Sequence, residues 1–312
     1  ENYTLQYLKF VPAPGKGHYF LGQIYGVTGK LTDALYEYSL SGNDPKLRVE
    51  AHNHRALIFV QLNHFNAAIQ ELEQAVAIDP NVLDTHYNLG NARFALGDTA
   101  GAATAFAAAI EAEPENDAFW SNHLFALNFS PDATRREIYR RNRAWGEMIE
   151  AEIGQAGRPA APKHGPPLRL AYYLPEYNAH VTPRFLAPVL RSHETSAFQL
   201  RIYGSEAGAS AMDGGNRPGF VPQNIDWVDA GALTDAELAA RMRADGVQIL
   251  IHPCTFKARY RRILAHRAAP VQIAAINLVS TTGLKAADYL FTDGFLDPPG
   301  ASEQFHTEEL IR

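Results

Sequence analysis

The chain has 312 residues, of which 46% are apolar and 20% charged, so its composition is that of ordinary globular proteins and excludes wholesale disorder. This length predicts two compact units. The formal net charge of −6 gives no general attraction to polyanions, so neither nucleic acid nor a membrane is expected as a partner. Cys254 is the single cysteine, which excludes an internal disulfide and fits a cytoplasmic location.

A period of 34 residues runs through the first part of the chain. Small and aromatic residues recur at this spacing, and a proline ends two of the units. The recurring sets are Gly22, Ala56 and Gly90; Ala34, Ala68 and Ala102; Tyr38, Leu72 and Phe106; and Pro80 and Pro114. The pattern resembles the tetratricopeptide repeat, and it predicts helix–turn–helix units over roughly residues 15–114. We expect the small residues to let the two helices of a unit approach closely, with the aromatic ring beside them.

Two further helices are predicted after the repeats, over residues 117–129 and 134–153. The second carries five arginines, which we expect on a solvated face: Arg135, Arg136, Arg140, Arg141 and Arg143. Residues 154–167 are rich in Gly and Pro and predict a linker. The chain is thereby divided into repeats and bridging helices (1–153), a linker (154–167) and a last domain (168–312).

From residue 168 onward, short apolar runs alternate with helical stretches. This alternation predicts a parallel, doubly wound α/β sheet. The predicted strands are 168–174, 198–203, 225–228, 247–252, 271–277 and 289–292, and the predicted helices are 182–192, 234–244, 260–267 and 282–287. Thr234 and Glu237 have the spacing of a capping box at the start of one helix.

Candidate chemistry lies after the first strand, because ligands of open parallel sheets bind beyond the carboxyl ends of the strands. His180 follows that strand, and an imidazole there could take a proton from a hydroxyl near neutral pH or simply hydrogen-bond the loop. No Gly-x-Gly-x-x-Gly pattern follows the strand, which argues against a dinucleotide cofactor. The repeat histidines His52, His54, His64 and His86 are not expected to bind a metal. His52 and His54 are two residues apart, so on a helix they point to different faces.

Five segments together resemble the O-GlcNAc transferase/SPINDLY family of protein glycosyltransferases. Residues 176–186, Glu-Tyr-Asn-Ala-His-Val-Thr-Pro-Arg-Phe-Leu, are similar to the family motif Asp-Phe-x-x-His-Pro-x-x-x-Phe-Leu. Residues 267–272, Arg-Ala-Ala-Pro-Val-Gln, are similar to Arg-Pro-Ala-Pro-x-Gln, and they lead into Ser-Thr-Thr-Gly-Leu at 280–284 and Asp-Tyr at 288–289. Residues 122–132 resemble the bridge from repeats to catalytic region in bacterial members.

The resemblance implies a tetratricopeptide-repeat superhelix followed by a Rossmann-like parallel α/β lobe, which is half of a GT-B fold. The donor lobe would lie beyond Arg312. The implied reaction is inverting transfer of a sugar, GlcNAc from UDP-GlcNAc, to Ser or Thr of a protein bound by the repeats, without a cofactor or metal. Residues 1–312 alone are then expected to be inactive.

The resemblance also implies roles for particular residues. His180 would stand near the acceptor hydroxyl. Thr281, Thr282 and Gly283 would complete a donor phosphate site, although a threonine there could equally cap a helix. Asn88 and Asn122 would line the inner surface of the repeats and grip peptide backbone, or else be solvated polar residues.

Two departures from the family pattern leave other functions open. Cys254 stands where the family has His, and residues 277–279, Asn-Leu-Val, replace Gly-Tyr-Pro. These changes could mean a different sugar, an unusual acceptor or a lost activity. The alternatives are a non-catalytic scaffold that recruits protein partners and a different two-lobed sugar transferase.

Overall fold

The computed structural model of the chain describes residues 15–154, 156–160, 165–174, 182–205, 217–252, 257–275 and 280–312. The chain divides into two compact units, Glu1–Ala133 and Thr134–Arg312. None of the helices in the described ranges is long and apolar enough to cross a bilayer.

The first unit contains seven helices among its described residues. They are α1 Gly15–Val27, α2 Leu31–Ser41, α3 Arg48–Gln61, α4 Phe65–Ile78, α5 Leu83–Leu96, α6 Thr99–Ala112 and α7 Asp117–Phe129. Helices α1 and α2, α3 and α4, and α5 and α6 pack as antiparallel pairs, and α7 packs on α6. Equivalent helices begin 33 to 35 residues apart, which confirms the predicted repeats.

Glycine and aromatic residues set the spacing inside two of these pairs. A Cβ atom at Gly22 would lie 2.8 Å from the Tyr38 ring, and one at Gly90 would lie 2.5 Å from the Phe106 ring. The rings therefore occupy the space that the missing side chains leave, as the 34-residue pattern predicts. In the middle pair Ala56 and Leu72 take these places, and both are fully buried.

Histidines of the repeats are bound to neighbouring groups of the same unit. His18 Nδ1 lies 2.7 Å from Glu37, and His52 Nδ1 lies 2.7 Å from Glu71 one repeat later. His54 Nε2 lies 2.8 Å from the Tyr19 hydroxyl. These contacts tie first helices to second helices and to each other.

The second unit contains a seven-stranded, wholly parallel sheet with the strand order β3-β2-β1-β4-β5-β6-β7. Its strands are β1 Leu168–Leu174, β2 Phe198–Gly204, β3 Asp226–Asp229, β4 Ile249–His252, β5 Val271–Ala274, β6 Tyr289–Phe291 and β7 Glu309–Ile311. Its helices are α8 Arg135–Ile153, α9 Thr182–Ser192, α10 Asp235–Ala244 and α11 Ala258–Ala265, with a 3₁₀ turn at Glu303–Phe305. The predicted doubly wound parallel architecture is confirmed.

Helix α8 belongs to the second unit, which moves the domain boundary from the predicted residue 153 to residue 133. The reason is packing, since Trp145 and Ile149 are fully buried. Four of the five arginines are exposed, as expected, and only Arg143 is half-buried. Arg143 donates to the carbonyl of Gly283 at 2.6 Å, and Arg135 donates to Ser302 at 2.7 Å.

The predicted helix over residues 282–287 is wrong. Residues 281–284 are irregular and are followed by a short turn. Gly283 has a positive φ, which a right-handed helix cannot contain, and the Thr282 N–H donates to the Glu308 carboxylate at 2.6 Å.

Candidate functional site

The carboxyl ends of four adjacent strands share one edge of the sheet. Strands β2, β1, β4 and β5 lie side by side and parallel, so the chain leaves each of them on the same edge. Ligand sites of open α/β sheets lie at this edge. His180 lies six residues past the end of β1, and it falls outside the described residues together with Cys254 and residues 277–279.

A buried aromatic group lies beneath this edge. Tyr173 on β1 and His252 at the end of β4 are both fully buried. Each packs on Tyr260 of α11, with ring centroids 5.5 Å and 5.8 Å apart. Burial raises the pKa of the Tyr173 hydroxyl, and the nearby Arg259 opposes that shift. Sequence analysis missed this group, because Tyr173 and Tyr260 are 87 positions apart.

Arg259 of helix α11 holds the start of helix α10. Its guanidinium lies 3.2 Å from Asp235 and donates to the carbonyls of Leu233 at 2.7 Å and Ala230 at 3.2 Å. These bonds hold the segment between β3 and α10 against α11. Arg259 thus fixes the chain where it leaves strand β3.

Thr281 and Thr282 are bound to a buried carboxylate. The Thr281 hydroxyl donates to Glu308 at 2.6 Å, and the Thr282 hydroxyl donates to the other oxygen of the same side chain. Gly283 donates its N–H to the Thr281 hydroxyl at 3.0 Å. Since both hydroxyl hydrogens are used by Glu308, a phosphate at this segment would have to displace that carboxylate. The predicted phosphate contact of Thr281, Thr282 and Gly283 stays a prediction.

The other side of this segment lies directly on helix α8. A Cβ atom at Gly146 would lie 2.2 Å from the Gly283 carbonyl oxygen, and one at Gly283 would lie 2.1 Å from the Asn142 carbonyl oxygen. Gly283 has a φ of +74°, which favours glycine. The two backbones therefore touch, and side chains at these two glycines would force them apart.

A fully buried arginine joins the same elements. Arg261 of α11 donates to Asn142 at 2.6 Å and to the Thr282 carbonyl. Its guanidinium also lies 4.5 Å from the centre of the Trp145 ring. A buried guanidinium is costly unless its donors are satisfied, and here two elements of the unit satisfy it.

Two side chains of the Arg-Ala-Ala-Pro-Val-Gln motif, at residues 267–272, hold neighbouring segments of the chain by hydrogen bonds. Gln272, fully buried, donates to the carbonyls of Leu264 at 2.8 Å and Ala286 at 2.7 Å. Arg267 donates to both carboxylate oxygens of Asp288, at 3.0 and 2.8 Å. These bonds fix where β5 begins and where the chain enters β6, and so they position residues 280–284.

The predicted peptide-binding asparagines lie on the first helices of successive repeats. Asn122 is half-buried and donates to the Tyr87 hydroxyl at 3.2 Å and to Asn91 at 3.3 Å. Asn88 is half-buried on α5. Asn122 is therefore held in one orientation by neighbouring side chains, and its binding role stays a prediction.

Side chains that can donate or accept a proton lie at the carboxyl ends of strands β1 and β4. Within the described ranges, no group of three or more His, Cys, Asp or Glu side chains is placed to hold a metal ion. Among the same residues, the His252 imidazole and the Tyr173 phenol lie at the carboxyl ends of β4 and β1, and both pack on the Tyr260 ring.

Comparison with known families divides the chain in the same way. Residues 158–311 match the model described as Glycosyl transferase family 41. Residues 56–97 match a TPR repeat model, and residues 83–116 match a Tetratricopeptide repeat model.

Similar proteins include a plant group. A Solanum lycopersicum protein named "Probable UDP-N-acetylglucosamine--peptide N-acetylglucosaminyltransferase SPINDLY" is 27% identical over 207 residues, covering 65% of this chain and 22% of that protein. An Oryza sativa subsp. japonica protein of the same name is 28% identical over 210 residues, with coverage of 67% and 22%. The chain thus spans about a fifth of the length of these curated relatives.

A solved structure is similar over almost the whole chain. It is that of a mutant Thermobaculum terrenum O-GlcNAc transferase, with a TM-score of 0.69 and 28% identity. The match covers 96% of this chain and 57% of that one. The order of repeats and α/β lobe is therefore shared with that structure.

Proposed function

Because the chain is an O-GlcNAc transferase/SPINDLY-like protein, with tetratricopeptide repeats followed by the start of a catalytic lobe, we propose that the whole protein is an inverting protein O-glycosyltransferase. The donor is UDP-GlcNAc, and the acceptors are Ser or Thr hydroxyls of a protein bound by the repeats. The observation that supports this proposal most is the match of residues 158–311 to a glycosyltransferase family model. The strands of that lobe have their carboxyl ends at one edge of the sheet.

The proposed chemistry is a single displacement. The acceptor oxygen attacks the anomeric carbon, the bond from that carbon to the phosphate oxygen breaks, and UDP leaves with the electron pair. His180 orients the acceptor hydroxyl and takes its proton, as a positioned imidazole can near neutral pH. Thr281, Thr282 and Gly283 border the donor phosphates, and Asn88 and Asn122 contact the acceptor chain.

The decisive experiment is sugar transfer by the complete protein with His180→Ala. We expect transfer from UDP-GlcNAc to fall about 10²-fold or more, which is the usual scale for a positioned acid or base. His64→Ala is the matched control, since His64 is an exposed histidine of the repeats and should leave the rate unchanged. Transfer at the parent rate by His180→Ala would remove His180 from the mechanism.

A donor screen tests the remaining parts of the proposal. UDP-, GDP- and dTDP-sugars are offered to the complete protein with one acceptor. Transfer from a GDP- or dTDP-sugar alone would replace the donor. Acceptor binding without transfer from any donor would favour a scaffold that recruits partners, as Cys254 in the family's histidine position would allow.

A further inference from the structure

Apolar side chains are exposed along one face of the first helices of the repeats. We call this the first-helix face; it is the face of α1, α3, α5 and α7 that carries the equivalent positions 20, 54, 88 and 122. Phe20 is 53% exposed, Leu57 45%, Phe125 38% and Phe129 56%. Leu57 lies three residues after position 54, and Phe125 and Phe129 lie three and seven residues after position 122, so all point to this face.

The first-helix face is continuous, because each first helix contacts the next. Side chains 31 to 35 positions apart meet across it. The contacts are Tyr19 with His54 at 2.8 Å, Asn53 with Thr85 at 2.7 Å, and Asn122 with Tyr87 and Asn91 at 3.2 and 3.3 Å. Its last part is aromatic, since Phe125 lies 5.3 Å from Phe94 and 5.0 Å from Phe129 between ring centroids.

The face changes character along the repeats. At positions 88 and 122 it presents amides, but at position 20 it presents Phe20, and at position 54 it presents His54. The His54 ring is stacked on Tyr38 with centroids 4.9 Å apart and is bonded to Tyr19. The first two repeats therefore offer an aromatic ring in place of an amide.

The charge of the repeats indicates what would bind there. Residues 15–133 contain fourteen Asp and Glu against six Lys and Arg, which leaves a net charge of −8, whereas the whole chain carries −6. Glu50 and Asp84 are exposed and lie four residues before positions 54 and 88, on the same face. A cationic ligand is attracted to such a surface and an acidic one is repelled.

We propose that the first-helix face binds a polypeptide segment in which Lys or Arg residues are interspersed with large apolar side chains. The apolar side chains pack on Phe20, Leu57, Phe125 and Phe129, and the cations face Glu50 and Asp84. This inference rests on the proposed function, in which the repeats hold the acceptor protein, and it specifies the chemistry of the acceptor.

The test measures fluorescence anisotropy of labelled 15-residue peptides titrated with the 312-residue chain. One peptide alternates leucine with lysine, a second leucine with glutamate, and a third serine with lysine. We expect the first to bind at least about 30-fold more tightly than either other peptide. Its affinity should fall as salt rises from 50 to 500 mM, because exposed charges are screened.

Variants locate the binding on the face. Phe125→Ser with Phe129→Ser should weaken binding about tenfold or more, since two exposed rings lose their apolar contact. Tyr36→Ser is the matched control, because Tyr36 is 62% exposed on the second helix α2.

Glu50→Gln with Asp84→Asn should weaken binding and flatten the salt dependence, whereas Glu111→Gln on α6 should do neither. Circular dichroism confirms that each variant is folded.

Several results would overturn the inference. They are equal binding of the leucine–glutamate peptide, unchanged affinity in the double phenylalanine variant, and sedimentation showing that these phenylalanines hold two copies of the chain together. The peptide-binding assay contains no sugar donor, so a failure of the complete protein to transfer sugar would not contradict this inference. Conversely, if the peptide titrations contradict this inference, the His180→Ala experiment still tests the proposed function.

Discussion

At the scale of single residues, contact between helix α8 and residues 280–284 depends on glycine. Gly146 touches the Gly283 carbonyl, and a methyl group there would lie 2.2 Å from that oxygen. Backbone atoms cannot turn aside as a flexible side chain does, so either the helix or the segment must shift. That displacement would also disturb the bonds of Asn142 and Arg261.

We predict that Gly146→Ala destabilises the second unit by about 1–2 kcal/mol. Overpacking typically costs about 1–3 kcal/mol, against a helix-propensity gain of about 0.5–1 kcal/mol. Gly26→Ala is the control, since Gly26 is also helical but has nothing within 4 Å of its added methyl group, and it should stabilise slightly. Urea unfolding followed by tryptophan fluorescence and circular dichroism compares them. Equal stabilisation by both variants would show that α8 and residues 280–284 separate freely.

At the scale of elements, the start of helix α10 contains the predicted capping box. The Glu237 N–H donates to the Thr234 hydroxyl at 3.3 Å, and the Glu237 carboxylate accepts from the Thr234 N–H at 2.9 Å. These bonds from Thr234 hold the pKa of Glu237 below its ordinary value of 4.5. A lowered pKa in the folded state means that the box stabilises fully above that ordinary value and is lost as the pH falls through the lowered one.

Glu237→Ala should therefore lower the urea midpoint of the second unit at pH 7, and its difference from the parent should shrink as the pH falls below about 4.5. The measurement is a series of urea titrations between pH 7 and pH 3. Glu111→Ala, at an exposed position of helix α6, should show no such convergence. A difference that stays constant with pH would mean that the carboxylate charge does not contribute.

Elements set by local patterns were predictable, and elements set by distant partners were not. The 34-residue period gave the repeat helices, because Gly22 and Gly90 meet their rings within one unit. The false helix at residues 282–287 had helical spacing, but Gly283 has a positive φ in close contact with the Asn142 carbonyl of α8, which a short window of sequence cannot include. Helix α8 was predicted within one residue of its start, yet its packing partners lie more than 100 positions later.

At the scale of the whole molecule, the candidate site was only partly predictable. The edge of the sheet follows from strand order, and His180 was chosen by its place after the first strand. The buried Tyr173, His252 and Tyr260 were missed, because single aromatic residues on separate elements carry no spacing signal. The threonines were found through a motif, but their pairing with Glu308 depends on β7, which only the structure shows.

We predict that residues 1–312 alone bind UDP with a dissociation constant above about 1 mM and transfer no sugar. The hydroxyl hydrogens of Thr281 and Thr282 are used by Glu308, and residues 168–312 contain no glycine-rich phosphate loop followed by Lys. One lobe also covers a nucleotide on one side only. Calorimetric titration of UDP measures this, with Thr282→Val expected to give the same result. Micromolar binding or measurable transfer would reveal a donor site in this lobe.

The packing of α8 also has a consequence for synthesis on the ribosome. Asn142 and Arg143 meet Ser280 and Gly283, which are made about 140 residues later. At roughly 5–20 residues per second, about 7–28 s pass between them. Arg261, which lies against the Trp145 ring, is also made more than 100 residues after it, whereas each repeat finds its partners within some 35 residues. A nascent chain halted before residue 258 would therefore display finished repeats and a Trp145 ring without its arginine partner, and exposed apolar surface of this kind is what chaperones recognise.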